Sequence, residues 1–302
     1  MSELRWHPLL EEWVTVAPGR QDRTYHPPED HCPLCPTRPG HLETEIPEPD
    51  YYIAVFENRF PSFSGEQGRC EVVCYTPDHE SSLGAQSVEH IRDLIEVWRD
   101  RTRELASLPN VRYVFVFENR GEEIGVTLHH PHGQIYAYPF VPPVLERELR
   151  AEAAHHEKTG HCLYCDLLEG EADGARTVLR DEKWVAFVPE FARWPYEVHV
   201  APMRHRGGLL DLDEDDMLAF ARILKGVLQK YDVLFQKPLP YVMAMHQSPD
   251  GGPAAAHHFH IEFYPPNRTR DKLKYLAGSE LGAGAFIVDA KAEDKAAELR
   301  GR

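Results

Sequence analysis

FENRGEEIGVTLHHPHGQIYAYPF, residues 117–140, sets His129, His130 and His132 just ahead of an aromatic and β-branched run. Read as a strand, the segment puts His130, His132 and Gln134 on one face, because successive side chains of a strand point to opposite sides. A neutral imidazole is a competent nucleophile near pH 7, and an amide beside it can donate to charge developing on a phosphoryl oxygen. These residue types therefore suit attack on phosphorus, with His132 attacking and Gln134 steadying the group transferred. Without its surroundings the same cluster would read as a histidine-rich surface turn.

Working outward, the elements around this segment occur twice. Cys32 and Cys35 (HCPLCP, 31–36) are followed by His79 (TPDHESSL) and then His130. Cys162 and Cys165 (HCLYCD, 161–166) are followed at similar intervals by His205 and then His258, and His258-Phe-His260 matches the spacing of His130-Pro-His132. Strand-like runs fall at 51–56, 70–76, 111–117 and 134–140, and again at 184–189, 196–202, 240–245 and 258–264. Apolar residues at helical spacing predict a helix over 88–105 with Ser87 as its N-cap, and another over 214–231 with an acidic first turn. Residues 1–50, rich in proline, read as extended or looping, and 142–160 as a helix plus linker. An α+β chain duplicated in tandem is expected, with halves at 1–150 and 151–302.

The chain has 302 residues, with 33 Lys+Arg against 49 Asp+Glu and a formal net charge of −16. That balance excludes a long phosphate-backbone partner, whose affinity rests on lysine and arginine, but permits a small anion met by a few focused cations. No apolar run spans a bilayer and the first residues lack a signal-peptide pattern, so no membrane partner is expected and a cytoplasmic location is. In that compartment the two Cys-x-x-Cys pairs are redox centres, metal ligands or coincidence. Joined to recurring histidines, the first pair makes a zinc tetrad of Cys32, Cys35, His79 and His130, and the second a possible twin of Cys162, Cys165, His205 and His258. Cys70 and Cys74, inside a strand-like run, read as small buried hydrophobes.

On these residues the chain resembles the galactose-1-phosphate uridylyltransferase family of the histidine-triad superfamily. HPHGQ preceded by FENRG, with CPLC and PDH upstream, carries the likeness, which runs from WVTVAPGRQDR (13–23) to FYPP and Ala-Gly-Ser-Glu (263–280). The resemblance implies two histidine-triad-like domains, each an antiparallel sheet with flanking helices. It also implies a ping-pong exchange in which His132 takes the uridylyl group of UDP-glucose, releases glucose 1-phosphate and passes the group to galactose 1-phosphate. By the same likeness Gln134 bonds the transferred phosphoryl group, and Arg20 and Arg23 meet nucleotide phosphates, reaching the site of the other subunit of a homodimer. Asn58 and Asn119 fall on the uridine side, Thr127 on the phosphate, and Lys274 and Glu280 in the hexose site. The family's second metal would match Glu148, His205 and His260, with Glu262 in its last ligand position; Cys162, Cys165 and His258 favour a zinc site instead. Ser279 precedes Glu280 where the family commonly has tyrosine. The alternatives are a phosphorylase of ADP-sugars or dinucleoside polyphosphates using the same histidine, and a non-catalytic, zinc-stapled binding module.

Overall fold

The computed structural model describes residues 2–22, 31–40, 43–171 and 173–301. The chain opens with a hairpin of β1 (Glu3–His7) and β2 (Glu12–Val16), in which Trp6 lies opposite Trp13 with ring centroids 5.1 Å apart. The proline-rich composition of residues 1–50 hides this hairpin, whose two strands are only five residues each. There follow β3 (Ala54–Glu57), β4 (Arg69–Cys74), helix α1 (Val88–Ala106), β5 (Tyr113–Arg120) and β6 (His132–Tyr138). Helices α2 (Pro143–Thr159) and α3 (Leu163–Glu171) lead to β7 (Thr177–Arg180), β8 (Trp184–Phe187) and β9 (Val198–Pro202). The chain then forms α4 (Glu214–Leu234), β10 (Tyr241–His246), β11 (His260–Tyr264), the small hairpin β12 (Asn267–Thr269) and β13 (Lys272–Leu273), and α5 (Ala292–Arg300).

Nine strands form one antiparallel sheet in the order β3-β4-β6-β5-β10-β11-β9-β8-β7. The order is a mirror about the β5–β10 seam: β6 corresponds to β11, β4 to β9 and β3 to β8. Helices α1 and α4 pack together on one face over a core that includes Trp98, Trp184, Phe220, Val116 and Ile135. Both start on side-chain caps that satisfy otherwise orphaned backbone donors. Ser87 Oγ accepts from His90 N at 3.0 Å, and Asp213 Oδ1 accepts from Asp216 N at 2.8 Å. Helices α1 and α4 cover one face, and on the other β6 presents His132 and Gln134. On that face β4 buries Cys70 and Cys74.

Candidate active site

His132 begins β6, and its Nδ1 lies 2.8 Å from the carbonyl oxygen of His130. A carbonyl only accepts, so Nδ1 carries the proton and the lone pair sits on Nε2. Gln134 is next on the same face, held between Val72 of β4 and Phe117 of β5. Gly133 between them has no Cβ because the Tyr75 hydroxyl and the carbonyl oxygen of Phe117 crowd that position from the helix side.

Two cavities meet at His132. The smaller, about 210 Å³, is lined by Leu34, Phe56, Phe60 and Val72 together with Arg20, Asn58 and Gln134. The larger, about 620 Å³, mixes apolar and polar walls, with Leu128 and Leu239 beside Asn119, Arg120, His79 and His129. Arg20 is held at its own chain's cavity by donation from Nη1 to the carbonyl of Phe60 (3.1 Å) and to Ser62 Oγ (2.9 Å). Asn58 uses its side-chain oxygen to accept from Phe60 N at 2.9 Å. Thr127 is buried in the connection from β5 to β6. Arg23 lies outside the described residues. Lys274 and Glu280 line neither cavity: Lys274 is buried, donates to the carbonyl of Ile287 and has Glu280 at 3.8 Å.

The structure gathers Cys32, Cys35, His79 and His130 into one group, and Cys162, Cys165, His205 and His258 into another. Cys35 Sγ is 3.4 Å from His79 Nδ1 and 3.5 Å from His130 Nδ1, and Cys165 Sγ is 3.5 Å from His205 Nδ1 and 3.3 Å from His258 Nδ1. Tetrahedral ligands at zinc's ordinary bond lengths of about 2.3 Å to sulfur and about 2.0 Å to nitrogen stand about 3.5 Å apart, so both sets fit that ion. Three of the four imidazoles also anchor the remote nitrogen on a backbone carbonyl: His130 on Thr76 (2.8 Å), His205 on Ala254 (2.6 Å) and His258 on Pro202 (2.8 Å). Such anchors fix the tautomer that leaves Nδ1 for a metal. Burial, with His79 and His132 adding to it, pushes His130 down to about 4, so the ring is neutral. The bond from the Tyr51 hydroxyl to the carbonyl of Thr76 (2.6 Å) completes this anchor; nothing in its sequence context singles out Tyr51.

A third group corrects one expectation. His205 stands with the second pair of thiols, and it is His246 that joins Glu148, His260 and Glu262. The register explains the exchange, because His246 at the end of β10 pairs with His260 of β11, whereas His205 lies in the loop after β9. His246 Nδ1 meets Glu148 Oε2 at 2.7 Å. Burial alone would lower His246, but Glu148 and Glu262 outweigh it and raise the ring to about 9. His199, opposite Glu262 in the β9–β11 register, adds an imidazole 3.3 Å from that carboxylate, and Arg193 a guanidinium at 3.0 Å.

Two family models match the chain: Galactose-1-phosphate uridyl transferase, N-terminal domain, over residues 64–142, and its C-terminal domain over residues 148–300. A galactose-1-phosphate uridylyltransferase of Thermotoga maritima is 43% identical, covering 99% of this chain and 98% of the relative. Another, from Streptomyces lividans, is 50% identical, covering 83% of this chain and 71% of the relative. A solved uridylyltransferase structure superposes with a TM-score of 0.89 at 34% identity, covering 100% of this chain and 98% of that one.

Proposed function

The chain belongs to the galactose-1-phosphate uridylyltransferase family, and from that membership we propose that it exchanges a uridylyl group between UDP-glucose and galactose 1-phosphate in two displacements on His132. The observation that carries this reading is the His132 ring itself, with its proton committed to the His130 carbonyl and the residue in the wall of both cavities. His132 Nε2 attacks the α-phosphorus of UDP-glucose. The bond to the bridging oxygen breaks, glucose 1-phosphate leaves with the electron pair, and a uridylyl-imidazole remains. A phosphate oxygen of galactose 1-phosphate then attacks the same phosphorus, UDP-galactose departs and the imidazole is regenerated. The phosphorus–nitrogen bond retains much of the anhydride's free energy, so both steps are reversible.

The smaller cavity suits uridine, with apolar walls for the base and Asn58 on its polar edge; the larger one admits the sugar phosphate, and Asn119, matched by resemblance to the uridine side, lines this second cavity instead. Gln134 donates to a non-bridging phosphoryl oxygen as charge builds there. Arg20, Arg23 and Thr127 meet the phosphates, the arginines through the planar fork that suits them. The first tetrad would hold a zinc ion, and the second tetrad suits a second. Zinc with four protein ligands has no open position, so its contribution is to the fold: Cys32, Cys35 and His79 tie their loops to His130, two residues from His132.

Lys274 and Glu280 serve the hexose, and since they lie away from their own His132 cavities, a second copy supplies them. The hairpin's exposed Trp6, Leu9, Leu10 and Trp13 suit that homodimer. The halves 1–150 and 151–302 are taken as the two domains, with α2 bridging them. Among the described residues no helix is long and apolar enough to cross a membrane. Thiols kept for metal ligation suit a reducing, cytoplasmic setting.

The test uses UDP-glucose labelled in the uridylyl phosphate, with ADP-glucose in a parallel arm. UDP-glucose is expected to leave acid-labile, base-stable label on the protein, absent in His132→Gly, and galactose 1-phosphate to chase it into UDP-galactose. Label from ADP-glucose alone supports a phosphorylase instead; label from neither sinks both.

A further inference from the structure

Beneath β6, on the face packed by α1 and α4, lies a buried polar cluster to which the reaction as described gives no role, although Glu118 and Arg120 also reach the wall of the larger cavity. Glu118 of β5 is almost wholly inaccessible, and its two oxygens accept from two tyrosines: Oε2 from the Tyr75 hydroxyl (3.3 Å) and Oε1 from the Tyr241 hydroxyl (3.1 Å). Tyr75 follows β4 in the first half and Tyr241 opens β10 in the second, so one carboxylate joins the halves at their seam. Burial raises Glu118 to about 7, against the lowering influence of Arg120 and of the two hydroxyls. Keeping such a group in the core is costly, so its hydrogen bonds have to be satisfied where they stand.

The position of the Tyr75 hydroxyl ties the cluster to the site above. A Cβ on Gly133 would fall inside van der Waals contact with that oxygen, so Tyr75 supports the strand from below at the residue between His132 and Gln134. Tyr75 is itself fixed at several points. Its backbone N donates to the carbonyl of Pro131 (3.1 Å), its carbonyl accepts from His90 Nε2 (2.6 Å), and its ring meets Trp98 edge-on. On the far side Tyr241 lies under the guanidinium of Arg120, which pairs with Asp232 of α4 at 2.7 Å.

We infer that Glu118 is a positioning residue for uridylyl transfer: through the Tyr75 hydroxyl it holds Gly133, and with it His132 and Gln134, at a fixed position within the sheet. The inference rests on the reading of His132 as nucleophile. Displacements of about an ångström at a reacting group cost up to ~10²-fold in rate, while ground-state contacts to base and sugar are spread over many residues and change little. The support therefore acts on the chemical step more than on binding.

Tyr75→Phe keeps the ring and removes the hydroxyl. It is expected to slow single-turnover uridylylation about tenfold, with the KM for UDP-glucose within twofold of wild type and the thermal midpoint nearly unchanged. Gly133→Ala is expected to slow it further, and Tyr75→Phe introduced into Gly133→Ala to recover part of the loss, because the crowding oxygen is gone. Glu118→Gln, which turns one of the two acceptor oxygens into an amide donor so that one tyrosine can no longer donate there, should fall between wild type and Tyr75→Phe. Wild-type rates in both Tyr75→Phe and Glu118→Gln, or no recovery in the double variant, overturn the inference while leaving the proposed reaction intact. A wild-type protein that takes no uridylyl label overturns both.

Discussion

His132 and His260 occupy equivalent places in the mirrored sheet, and their rings are set alike: each Nδ1 donates to the carbonyl of the histidine two residues earlier, at 2.8 Å in both cases. Each also follows a histidine of a thiol–imidazole tetrad. The difference lies in what surrounds the ring. Between Cys32 and Cys35 the chain offers Pro33 and Leu34, and a cavity remains beside His132. Between Cys162 and Cys165 it offers Leu163 and Tyr164, α3 begins, and the Tyr164 ring stacks on His260 at 4.4 Å, packed in turn by Leu168, Val185 and Phe187. The neighbours differ in charge as well. Gln134 is a neutral donor, whereas Glu262 in the matching position is a buried carboxylate that His199 and His246 hold well below its usual range against the effect of burial. If His132 alone carries the proposed reaction, an imidazole of the right tautomer is insufficient, and open space and a donor beside it make the difference.

Substitutions that exchange features of the halves can break or sharpen this contrast. The largest effect is expected for Cys32→Ser and Cys162→Ser: each should remove one zinc per chain by metal analysis and cut the yield of folded protein severely, because metal affinity at such sites is folding free energy. Unchanged metal content and unfolding in either variant would count against that tetrad. Gln134→Glu, which writes the second half's residue into the first, replaces a donor with a charge that repels phosphate. A loss of about 10³-fold in uridylylation is expected, ~4 kcal/mol in the barrier, with the fold intact by circular dichroism. Tyr164→Ala should lower stability in urea titration by about 3 kcal/mol, since a buried aromatic is replaced by a hole. Uridylylation at His132 should persist in that variant, so a parallel loss of labelling would mean the second half takes part in the chemistry. The smallest effect belongs to Tyr164→Phe, which removes the hydroxyl 3.0 Å from His199 Nδ1: about 1 kcal/mol of stability and labelling within twofold of wild type.

Much of this contrast is legible in the sequence. Strand alternation at HPHGQ, helical spacing over 88–105 and 214–231, and the doubled order of Cys-x-x-Cys and histidines are local patterns, and local patterns survive folding. His246 has no such signal. PYVMAM reads as a buried strand that stops one residue short of it, and only the pairing of β10 with β11 brings His246 to His260. The same holds for Glu118 and Tyr75, two residues that lie far apart in the chain and meet under Gly133. α3 has no such signal either, because it starts inside the second Cys-x-x-Cys pair, whose first-half counterpart is a loop; the helix becomes favourable when Tyr164 and Leu168 find β8 and β9 to cover. Lys274 and Glu280 illustrate the converse. Their identities can be matched along the chain, but they line neither cavity at His132 in their own chain, and their proposed role at the hexose calls on a second copy.

The claim that one histidine of the mirrored pair carries the reaction is tested most directly by locating the adduct. The protein is incubated with UDP-glucose, quenched in alkali, digested and mapped by mass spectrometry. The account predicts a uridylyl group on His132 and none on His260. An adduct on His260 or another histidine, or its absence from His132 in protein that is turning over, would contradict it.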